Sequence, residues 1–170
     1  MDRPESNEYD PYYSTYVNLV ADDDIFETLD AQPRDLRSML SEMPEERGRF
    51  SYAEGKWTIK EVLSHLIDGE RIFAYRLLRI SRGDETPIEG FEQDGYIENS
   101  NADDRTFAEL LNEFDLQRRS NLMLIRHLSD EASRRMGTAS ELPISARALV
   151  YIMAGHVLHH AAILKERYSV

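Results

Sequence analysis

The chain has 170 residues, enough for one domain with a sizeable core, and 41% hydrophobic against 31% charged residues describes a globular rather than a disordered protein. Its net charge of −12 is spread along the sequence, which argues against the dense basic face that a nucleic-acid partner requires. Cysteine is absent, so disulfides, iron–sulfur clusters, thiolate zinc sites and a cysteine nucleophile are excluded.

The start, Met1-Asp2-Arg3-Pro4-Glu5-Ser6, leads into no apolar run, so no signal peptide is expected. No segment reads as the roughly 18 apolar residues of a membrane span, and a cytoplasmic protein without membrane contact is expected. Residues 1–21 read as an extended lead-in, with Tyr9, Tyr12, Tyr13 and Tyr16 laid across the surface of a domain that occupies 22–170. The Asp22-Asp23-Asp24 run suits the positive end of a first helix, whose Ile25, Leu29, Leu36, Leu40 and Met43 share one face. Pro33 predicts a kink or restart within it, and Pro44 marks its exit.

A connection with Gly48 and Gly55 leads to the best-specified helix start in the chain. Thr58-Ile59-Lys60-Glu61 is a capping box, in which the Thr hydroxyl accepts from the Glu amide and the Glu carboxylate reaches back. Val62, Leu66, Phe73, Leu77 and Ile80 form the buried stripe, and Gly83 supplies a left-handed stop. The stretch from Gly83 to Asp104 is long for a loop in a compact domain. It reads either as a binding lid or as a crossover at the bundle end.

Thr106-Phe107-Ala108-Glu109 repeats the capping box and opens a third helix, with Phe107, Leu110, Leu111, Phe114, Leu122, Ile125 and Leu128 inward. Arg118-Arg119 and Arg134-Arg135 read as solvated faces. A polar connection from Ser129 to Pro143, turning at Gly137, precedes a fourth helix capped by Ser145 and running to about Tyr168. Four amphipathic helices without a convincing strand pattern predict an all-α four-helix bundle, its first-to-second connection short and its second-to-third long.

Chemistry concentrates on histidine. His156 and His160 are one turn apart, in register with Ile152, Met153 and Ile163, so both face inward and can chelate a single ion. Spacing alone also allows the pair His156 and His159, although position 160 lies nearer the centre of the stripe. His65, inside the second helix, offers a third nitrogen, and three imidazoles leave open positions on a metal for water or substrate. Gly69, mid-helix at a cost of about 1 kcal/mol relative to Ala, either makes room near a site or lets a neighbouring helix approach. Glu61 and Asp68 flank His65 as candidate catalytic or orienting carboxylates, while Glu61 also has its cap and Asp68 has Arg71 and Arg76 within helical reach. His127 reads as a surface residue near a helix C-terminus. His-Glu-x-x-His, Glu-x-x-His, phosphate-loop and nucleophile-elbow motifs are absent, and an all-nitrogen ligand set suits Zn²⁺ or Ni²⁺ better than Mg²⁺ or Ca²⁺.

The block Gly55-Lys56-Trp57-Thr58-Ile59-Lys60-Glu61-Val62-Leu63-Ser64-His65-Leu66 resembles the Trp-Ser/Thr-x-x-Glu-x-x-x-His-Leu signature of the DinB superfamily, in its DinB_2 branch. Glu70-Arg71-Ile72-Phe73-Ala74-Tyr75-Arg76, Thr86-Pro87-Ile88-Glu89-Gly90-Phe91 and Ala154-Gly155-His156-Val157-Leu158-His159-His160 are similar to that branch as well. The resemblance runs from about residue 22 to 168. It implies a four-helix bundle that holds one divalent ion, Ni²⁺ or Zn²⁺, through His65, His156 and His160, and so favours His160 over His159. It further implies a frequent homodimer, and relatives that are metal-dependent hydrolase-like proteins or S-transferases using low-molecular-weight thiols such as bacillithiol or mycothiol. The expected function is therefore metal-dependent chemistry on a small molecule. The alternatives are a non-enzymatic metal-binding or stress-response dimer with a structural ion, and a plain bundle with none.

Overall fold

The computed structural model describes residues 1–21 and 24–170. Short helix α1 (Ser14–Val17) precedes α2 (Ile25–Leu40); α3 (Ile59–Ser81), α4 (Gln93–Glu98), α5 (Phe107–Ile125) and α6 (Asp130–Ser133) follow. A hairpin of β1 (Met136–Ala139) and β2 (Leu142–Ser145) then leads into α7 (Ala146–Tyr168). The bundle is built from α2, α3, α5 and α7. Helix α3 packs on α5 and α7, and so does α2, which leaves α2 and α3 diagonally opposite. The connection between them is consequently longer than expected, running from Ser41 to Thr58 through a 3₁₀ turn at Glu45–Arg49.

Local chemistry sets the helix ends. Asp24 accepts from the Phe26 amide at 2.9 Å to start α2, whereas Asp22 and Asp23 of the expected acidic run lie outside the described residues. Both capping boxes form. Thr58 and Thr106 accept from the amides of Glu61 and Glu109, whose carboxylates return to the threonine amides at 2.7 and 2.8 Å. Ser145 accepts from Ala148 at 3.0 Å, and Gly83 stops α3 at φ +81°.

Helix α2 continues through Pro33 with no restart. Proline has no amide proton for the carbonyl four residues back, so the Leu29 carbonyl loses its helical donor. Arg118 of α5 replaces it, donating from Nη1 at 3.1 Å. Arg118 is thus no solvated residue. It is fully buried, and its Nε and Nη2 grip Glu70 of α3 at 3.0 and 2.6 Å. Nη1 also reaches Gln32 Oε1 at 2.5 Å; Gln32 Nε2 donates to the Ala154 carbonyl of α7 at 2.7 Å, and Asn121 donates to Glu70 at 2.9 Å. All four bundle helices meet in this polar layer. It divides the core into one apolar half around Leu29, Leu77 and Leu149 and another around Leu36, Leu63 and Leu164. Arg119, Arg134 and Arg135 do lie on the surface, each in an ion pair along its own helix turn.

The stretch expected to be a plain polar connection contains the β-hairpin, a departure from the strand-free reading. Its turn is Ser140-Glu141, both at positive φ (53° and 64°), rather than Gly137, which sits inside β1. A Cβ on Gly137 would lie 2.5 Å from Ile80 Cγ1, so the missing side chain is what seats the hairpin on α3. The lead-in is more deeply integrated than a surface strap. Val17 and Val20 belong to the core, Glu8 pairs with Arg147 at the start of α7, and a Cβ on Gly155 would meet the Tyr16 carbonyl at 2.1 Å. Helix α7 is long and apolar enough to cross a membrane, contrary to the sequence reading, but two-thirds of that window is buried inside the bundle, as a core helix requires.

Candidate metal centre

His65 enters from the second turn of α3, and His156 and His160 from consecutive turns of α7. One ligand nitrogen of each lies within 4.8 Å of the other two. The Nε2 atoms of His65 and His156 are 2.9 Å apart. Nitrogens sharing one ion at about 2.0–2.1 Å are themselves separated by roughly 3 Å, so the cluster already approaches ligand spacing. His65 and His156 are 4% and 5% exposed, while His160 is partly exposed. His159 points elsewhere, edge-on to Tyr16 at 5.4 Å, and His127 is an exposed residue bonded to the Met123 carbonyl.

Aromatic rings wall the cluster. Trp57 lies tilted against His65 at 4.7 Å, and Tyr16 and Phe73 each meet His156 edge-on at 5.5 Å. Gly69 makes the space, since a Cβ there would stand 2.9 Å from His156 Cε1. Burial pushes His65 down to about 4, His160 to about 3, and His156 well below the ordinary value. Around pH 7 the rings are therefore neutral, with lone pairs available. A buried set of neutral nitrogens fits a divalent ion of the zinc or nickel class.

Two consequences can be measured. Because the folded-state pKa values lie below the unfolded value near 6.5, the unfolded chain binds more protons between these limits. The contribution is fully present above about pH 6.5 and is lost as pH falls toward 4. Each buried ring adds a slope on the order of 1.4 kcal/mol per pH unit within that window. Urea midpoints of metal-free protein should fall steadily from pH 7 to pH 5; a flat profile would mean the rings are solvated. Gly69→Ala should gain helix propensity yet displace the His156 ring, weakening metal binding at least about 10-fold. Unchanged affinity in a metal-buffer titration would refute that account of Gly69.

The expected carboxylates are placed differently from the imidazoles. Glu61 is held in its cap on Thr58, and Asp68 faces Arg71 at 3.5 Å with its carboxyl pushed up by burial. The acid that bears on His65 is Asp94, at the start of α4. Sequence reasoning missed it, together with Gln93, which lines cavities on both sides of the histidines. One, of 260 Å³, opens on His65 and His156, and the other, of 280 Å³, on His160. The Gly83–Asp104 stretch thus forms a wall of the site, and its unusual length was the one signal in the sequence. Ile88 pins that stretch to the hairpin through a bridge with Ala139.

A four-helix bundle with three inward histidines on two helices is the architecture of a candidate metal-binding bundle. The sequence model of the DinB superfamily, DinB_2, matches residues 28–164, and the chain belongs to this family. The Bacillus subtilis protein YfiT, described as a probable metal-dependent hydrolase with an unusual four-helix bundle topology, shares the fold. Its TM-score is 0.77 at 20% identity, over 86% of this chain and 87% of that one. No curated protein matches.

Proposed function

We propose that this protein is a metal-dependent enzyme acting on a small molecule, either as a low-molecular-weight-thiol S-transferase or as a hydrolase. The observation that carries the reading is the neutral, buried three-nitrogen cluster opening directly onto cavities. His65, His156 and His160 would hold one Ni²⁺ or Zn²⁺. The ion, when bound, supplies the Lewis acidity that ionises a thiol or a water near neutral pH. Trp57, Tyr16 and Phe73 exclude bulk water and orient the imidazoles. Asp94 joins Asp68 and Glu61 as a candidate for proton handling, and it is the acid that raises the proton affinity of a triad member. The description of YfiT supports the hydrolase arm, and the family resemblance supports the thiol arm and a homodimer.

The test uses protein purified without a histidine tag and loaded with Ni²⁺ or Zn²⁺. Thiols are offered with 1-chloro-2,4-dinitrobenzene, and nitrophenyl esters are offered alone. Turnover that needs both the metal and His160 is expected in one arm. Stoichiometric metal whose removal lowers Tm sharply, with no turnover in either arm, would instead favour a structural ion.

A further inference from the structure

Arg76 stands on the same face of α3 as His65, Gly69 and Phe73, about 16 Å along the helix axis from His65. It lines the 260 Å³ cavity that also exposes His65 and His156, and it borders the 600 Å³ cavity beyond Phe91. The residue is only 2% exposed. Among the described residues no carboxylate lies within ion-pairing distance of it. Its partners are neutral: Nη2 donates to the Glu89 carbonyl at 3.1 Å and Ser140 Oγ at 2.9 Å, the guanidinium also bonds the Tyr13 hydroxyl and lies 6.0 Å from the Phe91 ring centre, and its buried Nε has no acceptor. The neighbouring arginines differ in this respect. Arg71 pairs with Glu113 and Asp68, and Arg79 pairs with Asp84 at 2.6 Å. Of the acids on the two cavity walls, Glu92 accepts from the Asp94 amide and Asp68 pairs with Arg71, while Glu89 is exposed and meets Arg76 through its backbone carbonyl.

A buried guanidinium without a counter-ion is costly, and its planar fork matches a carboxylate. Arg118, equally buried, has the carboxylate of Glu70 on its Nε and Nη2, whereas Arg76 has none and lines two cavities. We propose that Arg76 is the anion-recognition residue of this site, so that the small molecule it takes carries a carboxylate at the end remote from its metal-binding group. The inference rests on the metal-centred reading above and adds the substrate class: a short, bifunctional carboxylate whose other end, a thiol or a hydrolysable group, lies at His65 and His156.

The experiment compares 6-mercaptohexanoate with 6-mercaptohexanamide on cobalt-substituted protein, reading thiolate-to-cobalt absorbance. The carboxylate should bind at least about 10-fold more tightly than the amide. Arg76→Gln should abolish that preference while leaving amide affinity within about 2-fold, and Arg76→Lys should keep part of it. Equal affinities in the wild type, or a preference that survives Arg76→Gln, would overturn the proposal while leaving the metal reading intact. Metal-free protein titrated calorimetrically with hexanoate and hexanamide separates the two ideas. Arg76-dependent hexanoate binding in a protein that takes up no metal sustains the anion site and sinks the metal reading, whereas no hexanoate preference there, with no metal uptake, sinks both. Circular dichroism melts of both variants confirm that the comparison is made on folded protein.

Discussion

Arg118→Met is expected to cost the fold about 3–5 kcal/mol, the range for removing one partner of a buried ion pair. The charge lost is compact, but the groups left behind are many. Glu70 keeps only Asn121, Gln32 Oε1 loses its donor, and the Leu29 carbonyl, already deprived by Pro33, has none. A second substitution, Glu70→Met, should recover most of the loss, because an apolar pair of similar volume removes the stranded carboxylate as well. Urea unfolding of the two variants checks both halves. A single variant within 1 kcal/mol of wild type would mean that water enters the layer and solvates Glu70.

The other large effect is on metal. His156→Ala should lower Ni²⁺ or Zn²⁺ affinity by more than about 100-fold, since even residues that only orient a ligand are worth 10- to 100-fold. Position 156 is a sharp test because its ring is enclosed by Tyr16, Phe73 and the gap at Gly69. His159→Ala is the control, as that ring lies outside the cluster, and it should leave metal content unchanged. With saturating metal the wild type should gain Tm that the His156 variant does not. Full metal content in both variants would dismantle the three-nitrogen centre.

The elements legible in the sequence are those decided within one helical turn. Thr58 with Glu61, Thr106 with Glu109, Ser145 and Gly83 act on their own neighbours, and the structure shows each doing so. The one-turn spacing of His156 and His160 is local as well, which is why their shared face could be read directly. What failed depended on partners distant in sequence. Pro33 tolerates its helix because of a side chain 85 positions later, and Arg118 is buried because Glu70, Gln32 and Leu29 surround it. The hairpin hid because its turn uses Ser140-Glu141 instead of the Asn-Gly or Asp-Gly that would announce it. Asp94, Gln93 and Tyr16 reach the site through tertiary packing, which no spacing rule encodes.

The seat of Tyr16 against Gly155 has a consequence for how the molecule comes into being. Residues near the start of the chain close over histidines near its end, and His65 meets His156 across 91 positions. Contacts of such sequence separation form late, after loop-closure entropy has been met. The three-histidine cluster therefore cannot exist on a nascent chain whose α7 is still inside the ribosome. Docking of the lead-in and assembly of the three-histidine cluster become one late folding event, and a chain interrupted before α7 has no assembled cluster.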